Sequence, residues 1–380
     1  KYNKPGVTMG NIRDPRVADD ILERGDADII GMGRGLIADP HWVKKVATGR
    51  EDEIRKCISC NVGCAGNRIG VNRPIRCTVN PTVNSGFDYK KKKVNKPCNV
   101  VVIGGGTAGL EAACTAAEVG CTTFLLEKKD VLGGLATEIS KIPAKHRLND
   151  FPVYLQRRAA ALDNLYIFKN TEATLEVIEK FNPHIIICAT GSAPLLPPIA
   201  GLHENIDKEG GKVESILSMI KHVPDYPEDM TGQKVVVIGG GAVGLDVVEF
   251  FAPRGADVSI VEMMPVIGNG IDPVSKVGTF ALMDKYGVKQ CPNTALLEVK
   301  ADSFLVKTPE GNEEEMLFDY GFVCLGMQSA TPSLQELYNH FIYEGVEVLN
   351  IGDSAQTRRI IEGVKEGRDI LVALERQDFI

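Results

Sequence analysis

Val101-Val-Ile-Gly-Gly-Gly-Thr-Ala-Gly-Leu110 decides the fold, because it recurs 135 residues later as Val236-Val-Ile-Gly-Gly-Gly-Ala-Val-Gly-Leu245. The same offset carries Gly120 onto Gly255, Glu127 onto Glu262 and Gly133 onto Gly268. A period this long belongs to no solenoid, so two copies of one supersecondary unit are expected. Each copy reads as β-α-β. An apolar strand (98–103; 234–238) meets three glycines, a helix-like run follows (108–119; 243–252), and a second strand (122–126; 257–261) ends on an acid. Such alternation predicts an α/β fold built on parallel sheet with right-handed crossovers.

Both glycine runs fit the dinucleotide fingerprint. In the first, Gly104, Gly106 and Gly109 follow a strand and open a helix, and Glu127 lies 21 residues past Gly106. The first glycine permits the tight turn, the second lets the backbone approach a pyrophosphate, and the third lets helix and strand pack closely. The helix N-terminus turns unpaired N–H groups and a positive dipole end toward the phosphates, while Glu127 is placed to accept from a ribose diol. The second run repeats this with Gly239, Gly241, Gly244 and Glu262. Two fingerprints predict two dinucleotides, and flavin with nicotinamide is the chemically sensible pair. The weaker alternative for the second copy is a degenerate turn. No cation that would suit NADPH follows: Met263 and Met264 succeed Glu262, and there is no arginine between Glu262 and Lys276. Arg254 stands at the far end of the preceding helix. Only a distant loop with Lys208, Lys212 and Lys221 could bring a cation to the ribose.

Upstream lies a cysteine cluster, Cys57-Ile-Ser-Cys60-Asn-Val-Gly-Cys64, followed after twelve residues by Cys77-Thr-Val-Asn-Pro81. Four thiolates suit Zn²⁺ or an iron–sulfur centre. Zinc more often takes two separated C-x2-C knuckles, whereas three thiolates from one loop and a fourth from afar suit a cubane. The other six of the ten cysteines are scattered, mostly in apolar runs, which argues against a disulfide framework and for a reducing cytoplasm. No C-x4-C follows the first fingerprint helix, so disulfide-reductase chemistry is unsupported.

The segment 1–55 reads as strand 6–9, a helix from Asp14-Pro15 to Arg24, strand 27–32 and the turn Gly33-Arg34-Gly35. Residues 56–97 lack regular pattern. Strand 183–188 runs into Ala189-Thr190-Gly191, residues 201–232 are expected to be a loop-rich connection, and strand 346–351 leads into Gly352-Asp353 and a helical run to Glu375. The net charge of −7 is spread over 43 basic and 50 acidic residues, which gives no nucleic-acid surface. Lys90–Lys93 reads as a solvated linker, and no apolar window has the ~18 residues of a membrane span. His146 and His184 are isolated, and the sequence offers no acid–base catalyst.

The order of these motifs resembles the 2,4-dienoyl-CoA reductase, enoate reductase and trimethylamine dehydrogenase family of NADH:flavin oxidoreductases. The resemblance rests on Asp28-Ile-Ile-Gly-Met-Gly-Arg-Gly-Leu-Ile-Ala-Asp-Pro40, on Ile54-Arg-Lys-Cys-Ile-Ser-Cys-Asn-Val-Gly-Cys64 and on Cys77-x-Val-Asn-Pro81. It implies that residues 1–55 are the last two β-α units of a TIM barrel, with Gly10-Asn11 and Gly33-Arg34 at the phosphate of an FMN in the full-length protein. It implies [4Fe–4S] ligation by Cys57, Cys60, Cys64 and Cys77 within 56–96. It further implies two nested Rossmann-like domains: FAD-binding at 97–200 and 329–380, and NAD(P)-binding at 201–328. Gly191 and Asp353 are then the returning FAD segments, with Asp353 near the ribityl chain. The expected activity is electron transfer from NADH through FAD and the cluster to FMN. The implied partner is a small unsaturated acid or CoA thioester. An amine dehydrogenase and a stand-alone electron-transfer module are the alternatives. A homo-oligomer is compatible with the sequence and not specified by it.

Overall fold

The computed structural model describes residues 4–85, 88–331 and 334–380. It begins with β1 (Val7–Met9), α1 (Pro15–Glu23), β2 (Ile29–Gly31), α2 (Arg34–Ala38) and α3 (Trp42–Ala47). Asp14 caps α1 by accepting from the Arg16 N–H, Pro15 fills a first-turn position, and Gly25 ends the helix region in a left-handed conformation. β1 and β2 form a parallel pair, shorter than the expected strands. Ile12, Ala18, Trp42 and Ile54 bury a small core beneath them.

The first repeat copy follows as β3 (Asn99–Ile103), α4 (Thr107–Glu118) and β4 (Thr122–Leu126). Then come α5 (Gly134–Ile139), α6 (Asp150–Ala160), β5 (Leu165–Phe168), α7 (Leu175–Glu179) and β6 (Ile185–Cys188). β3 is covered on both faces, which is why Val100–Ile103 read as an uninterrupted apolar run instead of alternating. α4 is rich in alanine, and Gly109 to Ala117 are buried along its length.

The chain then makes β7 (Ser192–Pro194), α8 (Leu202–Asn205), β8 (Val213–Ser215), α9 (Ile216–His222), β9 (Lys234–Ile238), α10 (Ala242–Phe251) and β10 (Asp257–Val261). After these come α11 (Pro273–Lys285), β11 (Lys289–Cys291), β12 (Ala295–Val299), β13 (Ser303–Lys307), β14 (Glu313–Leu317), β15 (Tyr320–Val323) and β16 (Met327–Ser329). It closes with α12 (Leu334–Phe341), β17 (Glu347–Asn350), α13 (Ile360–Asp369) and α14 (Leu371–Arg376).

Two parallel five-stranded sheets result, in the orders β17-β6-β3-β4-β5 and β11-β10-β9-β15-β8. The fold is α/β, and its two sheets share one plan. β3 and β9 are central, flanked by β4 and β10 on one side and by β6 and β15 on the other. β12, β13 and β14 form a separate antiparallel sheet. The stretch 201–232 departs from its expected loop character, because β8 is an edge strand of the second sheet and α9 packs beside it. Three strand residues among polar neighbours gave too short a signal. Two compact units divide the chain. One comprises Lys1–Thr137, Arg147–Gly191 and Ser329–Ile380, and the other comprises Glu138–His146 and Ser192–Gln328. Among the described residues no helix is long and apolar enough to cross a membrane.

The lysine run at 90–93 is pinned to its own unit. Lys90 pairs with Glu118 at 2.9 Å, and Lys92 pairs with Glu375. Beside it Arg158, 9% exposed, bridges Glu111 at 2.7 Å and Glu118 at 2.8 Å and donates to the Tyr89 hydroxyl. Arg368 stacks on the Tyr89 ring. Burial opposes ionisation of Glu118, but the Arg158 hydrogen bonds and charge override it and bring its pKa down to about 2. Arg158→Met should therefore lower unfolding free energy by about 3–5 kcal/mol, because buried Glu111 loses its ion-pair partner and buried Glu118 is left with the more exposed Lys90 alone. Urea titration checks this. A depressed folded-state pKa places the Glu118 contribution above the ordinary carboxylate range and removes it as pH falls toward about 2. The variant and the parent should therefore converge in stability as the solution is acidified from pH ~5.

Candidate dinucleotide turns and a four-cysteine cavity

Both glycine turns are built by the same contacts. A Cβ on Gly104 would sit 2.4 Å from the Ala189 carbonyl oxygen, and one on Gly239 would sit 2.2 Å from that of Cys324. Both glycines have φ near +105°. A Cβ on Gly109 would meet the Gly104 oxygen at 2.0 Å, and one on Gly244 would meet the Gly239 oxygen at 1.9 Å. Helix and strand are thus as close as backbones allow. Gly106 and Gly241, by contrast, face open space within 4 Å, at the start of α4 and α10. That bare backbone at a helix N-terminus is suited to receive a pyrophosphate.

Each turn is braced by its acid. Glu127 Oε2 accepts from the Gly105 N–H at 2.7 Å and its Oε1 from the Lys129 N–H at 2.8 Å. Glu262 repeats this with Gly240 at 2.7 Å and Met264 at 2.8 Å. A carboxylate has about four acceptor positions, so a ribose diol can still be served. The next strand closes the same pocket edge: Thr171 N donates to Glu127 O, and Thr294 N to Glu262 O, both at 2.9 Å. These threonines follow Asn170 and Asn293, each in a left-handed conformation. The repeated Asn-Thr pair and the correspondence of Cys324-Leu-Gly326 with Ala189-Thr-Gly191 escaped the sequence reading, although both were legible as a shared dipeptide and a shared strand-end glycine.

The returning segments meet the first turn. Gly352 packs against Ala108 of α4, where a Cβ would approach that side chain to 3.0 Å, and its N–H donates to Glu366 at 2.7 Å. Asp353 follows and accepts from the Arg358 N–H at 3.0 Å. Gly191, with φ +79°, accepts from the Ala330 N–H at 2.9 Å.

Cys57, Cys60, Cys64 and Cys77 line one small cavity, together with Arg34, Ile37, Ile58 and Val79. Ser59 and Asn61 adopt positive φ, which bends the loop around the thiols. The Ser59 N–H lies 3.4 Å from Cys57 Sγ, and Thr78 Oγ1 lies 3.1 Å from Cys60 Sγ. Burial pushes the Cys77 thiol up to about 11, opposed by the N–H groups of Val79 and Asn80. Burial also raises Cys60, opposed by Thr78 and the Val62 N–H. Among the described residues no group of three or more His, Cys, Asp or Glu side chains is placed to hold a metal ion. The two N-terminal loops reach this cavity too. Asn11 Oδ1 accepts from Ser59 Oγ at 2.8 Å, and Arg34 donates to Asn61 Oδ1 at 2.6 Å. Gly10 has φ +135°, and Gly33 precedes α2 with open space about it.

Residues 66–164 and 99–341 match the family described as pyridine nucleotide-disulphide oxidoreductase, and residues 1–53 match the NADH:flavin oxidoreductase / NADH oxidase family. An NADH oxidase of Thermoanaerobacter brockii is 35% identical over 96% of the chain and 54% of its own length. A bilirubin reductase of Mediterraneibacter gnavus is 32% identical over 96% of the chain and 54% of its own length. A 2-naphthoyl-CoA reductase structure superposes with TM-score 0.84 at 28% identity, covering 97% of this chain and 54% of that one. The chain spans about half the length of the curated relatives it matches.

The two classes of glycine should behave differently. Gly104→Val forces a side chain into the Ala189 carbonyl and a left-handed φ, and should cost about 3 kcal/mol or more. Gly106→Val projects into open space from extended backbone and should stay within about 1 kcal/mol of the parent. Chemical denaturation of the two variants checks the contrast.

Proposed function

The chain belongs to the pyridine nucleotide-disulphide oxidoreductase family and, through residues 1–53, to the NADH:flavin oxidoreductase / NADH oxidase family, and from that membership we propose that it is the FAD, NADH and iron–sulfur part of a C=C-reducing flavoenzyme. The observation that carries this reading is the duplicated turn, braced by an acid and bare at its middle glycine in both copies. FAD is assigned to Gly104, Gly106, Gly109 and Glu127 with Gly191 and Asp353, because Gly352-Asp353 packs on the first turn of α4. NADH is assigned to Gly239, Gly241, Gly244 and Glu262. The proposed domain bounds are 97–200 with 329–380 for FAD and 201–328 for NADH.

The cysteine cavity fits a [4Fe–4S] centre. Its donors are four soft thiols, its walls include apolar side chains, and N–H and O–H groups face the sulfurs. Gly10, Gly33 and Arg34 are assigned to the phosphate of an FMN in the full-length protein. When bound, NADH supplies a hydride, flavin takes it and releases electrons singly, and an iron–sulfur centre carries them one at a time. The chain's own residues bind and orient these groups, and none is assigned an acid–base role. The likeness to a 2-naphthoyl-CoA reductase supports a CoA thioester or unsaturated acid as the substrate of the full-length protein.

NADH is favoured over NADPH on geometry. Glu262 ends β10 at the carboxyl edge of its sheet, where dinucleotides bind. Lys212 precedes β8, so it lies at the opposite edge, and Lys208 accompanies it through the Gly211 N–H to Lys208 O bond at 2.9 Å. Lys221 lies in the last turn of α9, beside His222, whose ring meets Glu214 of β8 at 3.1 Å. Arg254 lies over the Phe250 ring, 3.7 Å from its centroid, and donates to the Phe250 carbonyl. None of these four cations is placed to meet a 2′-phosphate.

Two measurements test the assignments. Gly106→Val should lose bound flavin and NADH-driven dye reduction, whereas Gly241→Val should keep flavin and raise KM for NADH; the opposite pattern reverses the two sites. In steady-state dye reduction the parent should prefer NADH by about a hundredfold in kcat/KM, since a buried like-charge pair costs a few kcal/mol. Glu262→Arg should move that preference toward NADPH, and equal use of both coenzymes by the parent would refute the role given to Glu262.

A further inference from the structure

Thr78 sits between the fourth cysteine and Val79 and is 4% exposed. Its hydroxyl is 3.1 Å from Cys60 Sγ, a residue 18 positions earlier on the other arm of the cavity. Burying a hydroxyl is unfavourable unless it is hydrogen-bonded, and valine would fill the same space without that cost. A hydroxyl at this position is therefore best explained by its acceptor. A thiol sulfur is a weak acceptor, but a thiolate is a strong one.

We propose that Thr78 sets the reduction potential of the centre held by Cys57, Cys60, Cys64 and Cys77, by donating a hydrogen bond to Cys60 Sγ. This rests on the reading of the four cysteines as iron–sulfur ligands. A sulfur bonded to iron carries no proton, so it accepts and the threonine hydroxyl donates. One-electron reduction, with the electron supplied by reduced flavin, adds negative charge to the sulfurs. No proton moves and no bond breaks at Cys60. A fixed O–H donor stabilises the reduced form more than the oxidised one and so raises the potential. The N–H groups near Cys57, Cys60 and Cys77 act in the same direction but belong to the backbone. Thr78 supplies its donor from a side chain, and a single substitution can remove it.

The test is an EPR-monitored redox titration with dithionite, on anaerobically reconstituted chain with iron and labile sulfide determined beforehand. Parent, Thr78→Val and Thr78→Ser should each hold about four irons and four sulfides. Thr78→Val should make reduction about tenfold less favourable, a shift of about 59 mV to more negative potential for one electron. Thr78→Ser should titrate with the parent. If Thr78→Val fails to take up the centre, Thr78→Ala carries the same expectation. A full centre whose potential is unmoved by loss of the hydroxyl overturns the inference, as does a serine variant that shifts as far as valine. Stoichiometric zinc without sulfide in the parent overturns the reading of the cysteines, and the inference with it.

Discussion

Everything in the two sheets depends on how closely one strand, one turn and one helix approach each other. At Gly104 and Gly239 the backbone passes within a methyl group of the neighbouring strand's last carbonyl, and at Gly109 and Gly244 the helix rests on the turn itself. This closeness sets the start of α4 and α10 at the carboxyl edges of their sheets, with open space about Gly106 and Gly241. A carboxylate from the next strand then fixes the loop by accepting from Gly105 or Gly240. The acid thus holds the turn in shape with the same carboxylate to which the ribose contact is assigned in the proposal. Because the same group does both, replacing it disturbs loop geometry along with recognition.

The cysteine cavity follows a different logic. It is held by irregular backbone, with left-handed Ser59 and Asn61, and by side chains from the N-terminal loops. Arg55 donates to the Val79 carbonyl at 3.0 Å and to Asn80 at 2.9 Å, which steadies the arm bearing Cys77. Arg34, read from the sequence as a phosphate ligand, also lines this cavity. One guanidinium is therefore named in two of the proposed sites.

Much of this was legible beforehand. The strands flanking both glycine turns were placed to within a residue, because buried parallel strands leave solid apolar runs and the turns leave obligatory glycines. The four cysteines were legible as one group from their crowding. What escaped detection was short or non-local. β8 has only three residues, and its partner β15 lies more than a hundred residues away. The antiparallel β12–β14 sheet left no fingerprint of its own. The burial of Ile142 and the Lys145 bridges to Asp246 and Glu249, at 2.7 and 3.0 Å, place the segment 138–146 with the later unit. No local pattern encodes such a choice of partner.

The order in which these strands leave the ribosome is set by the nesting. β17 lies at the edge of the first sheet beside β6, so that sheet cannot be completed until Asn350 has been made. All five strands of the second sheet fall between Val213 and Val323. The unit that begins later in the sequence therefore has its full sheet available first. During synthesis the earlier sheet must wait with the outer edge of β6 uncovered, a period in which an apolar strand paired with β3 alone is open to wrong pairing on its other side.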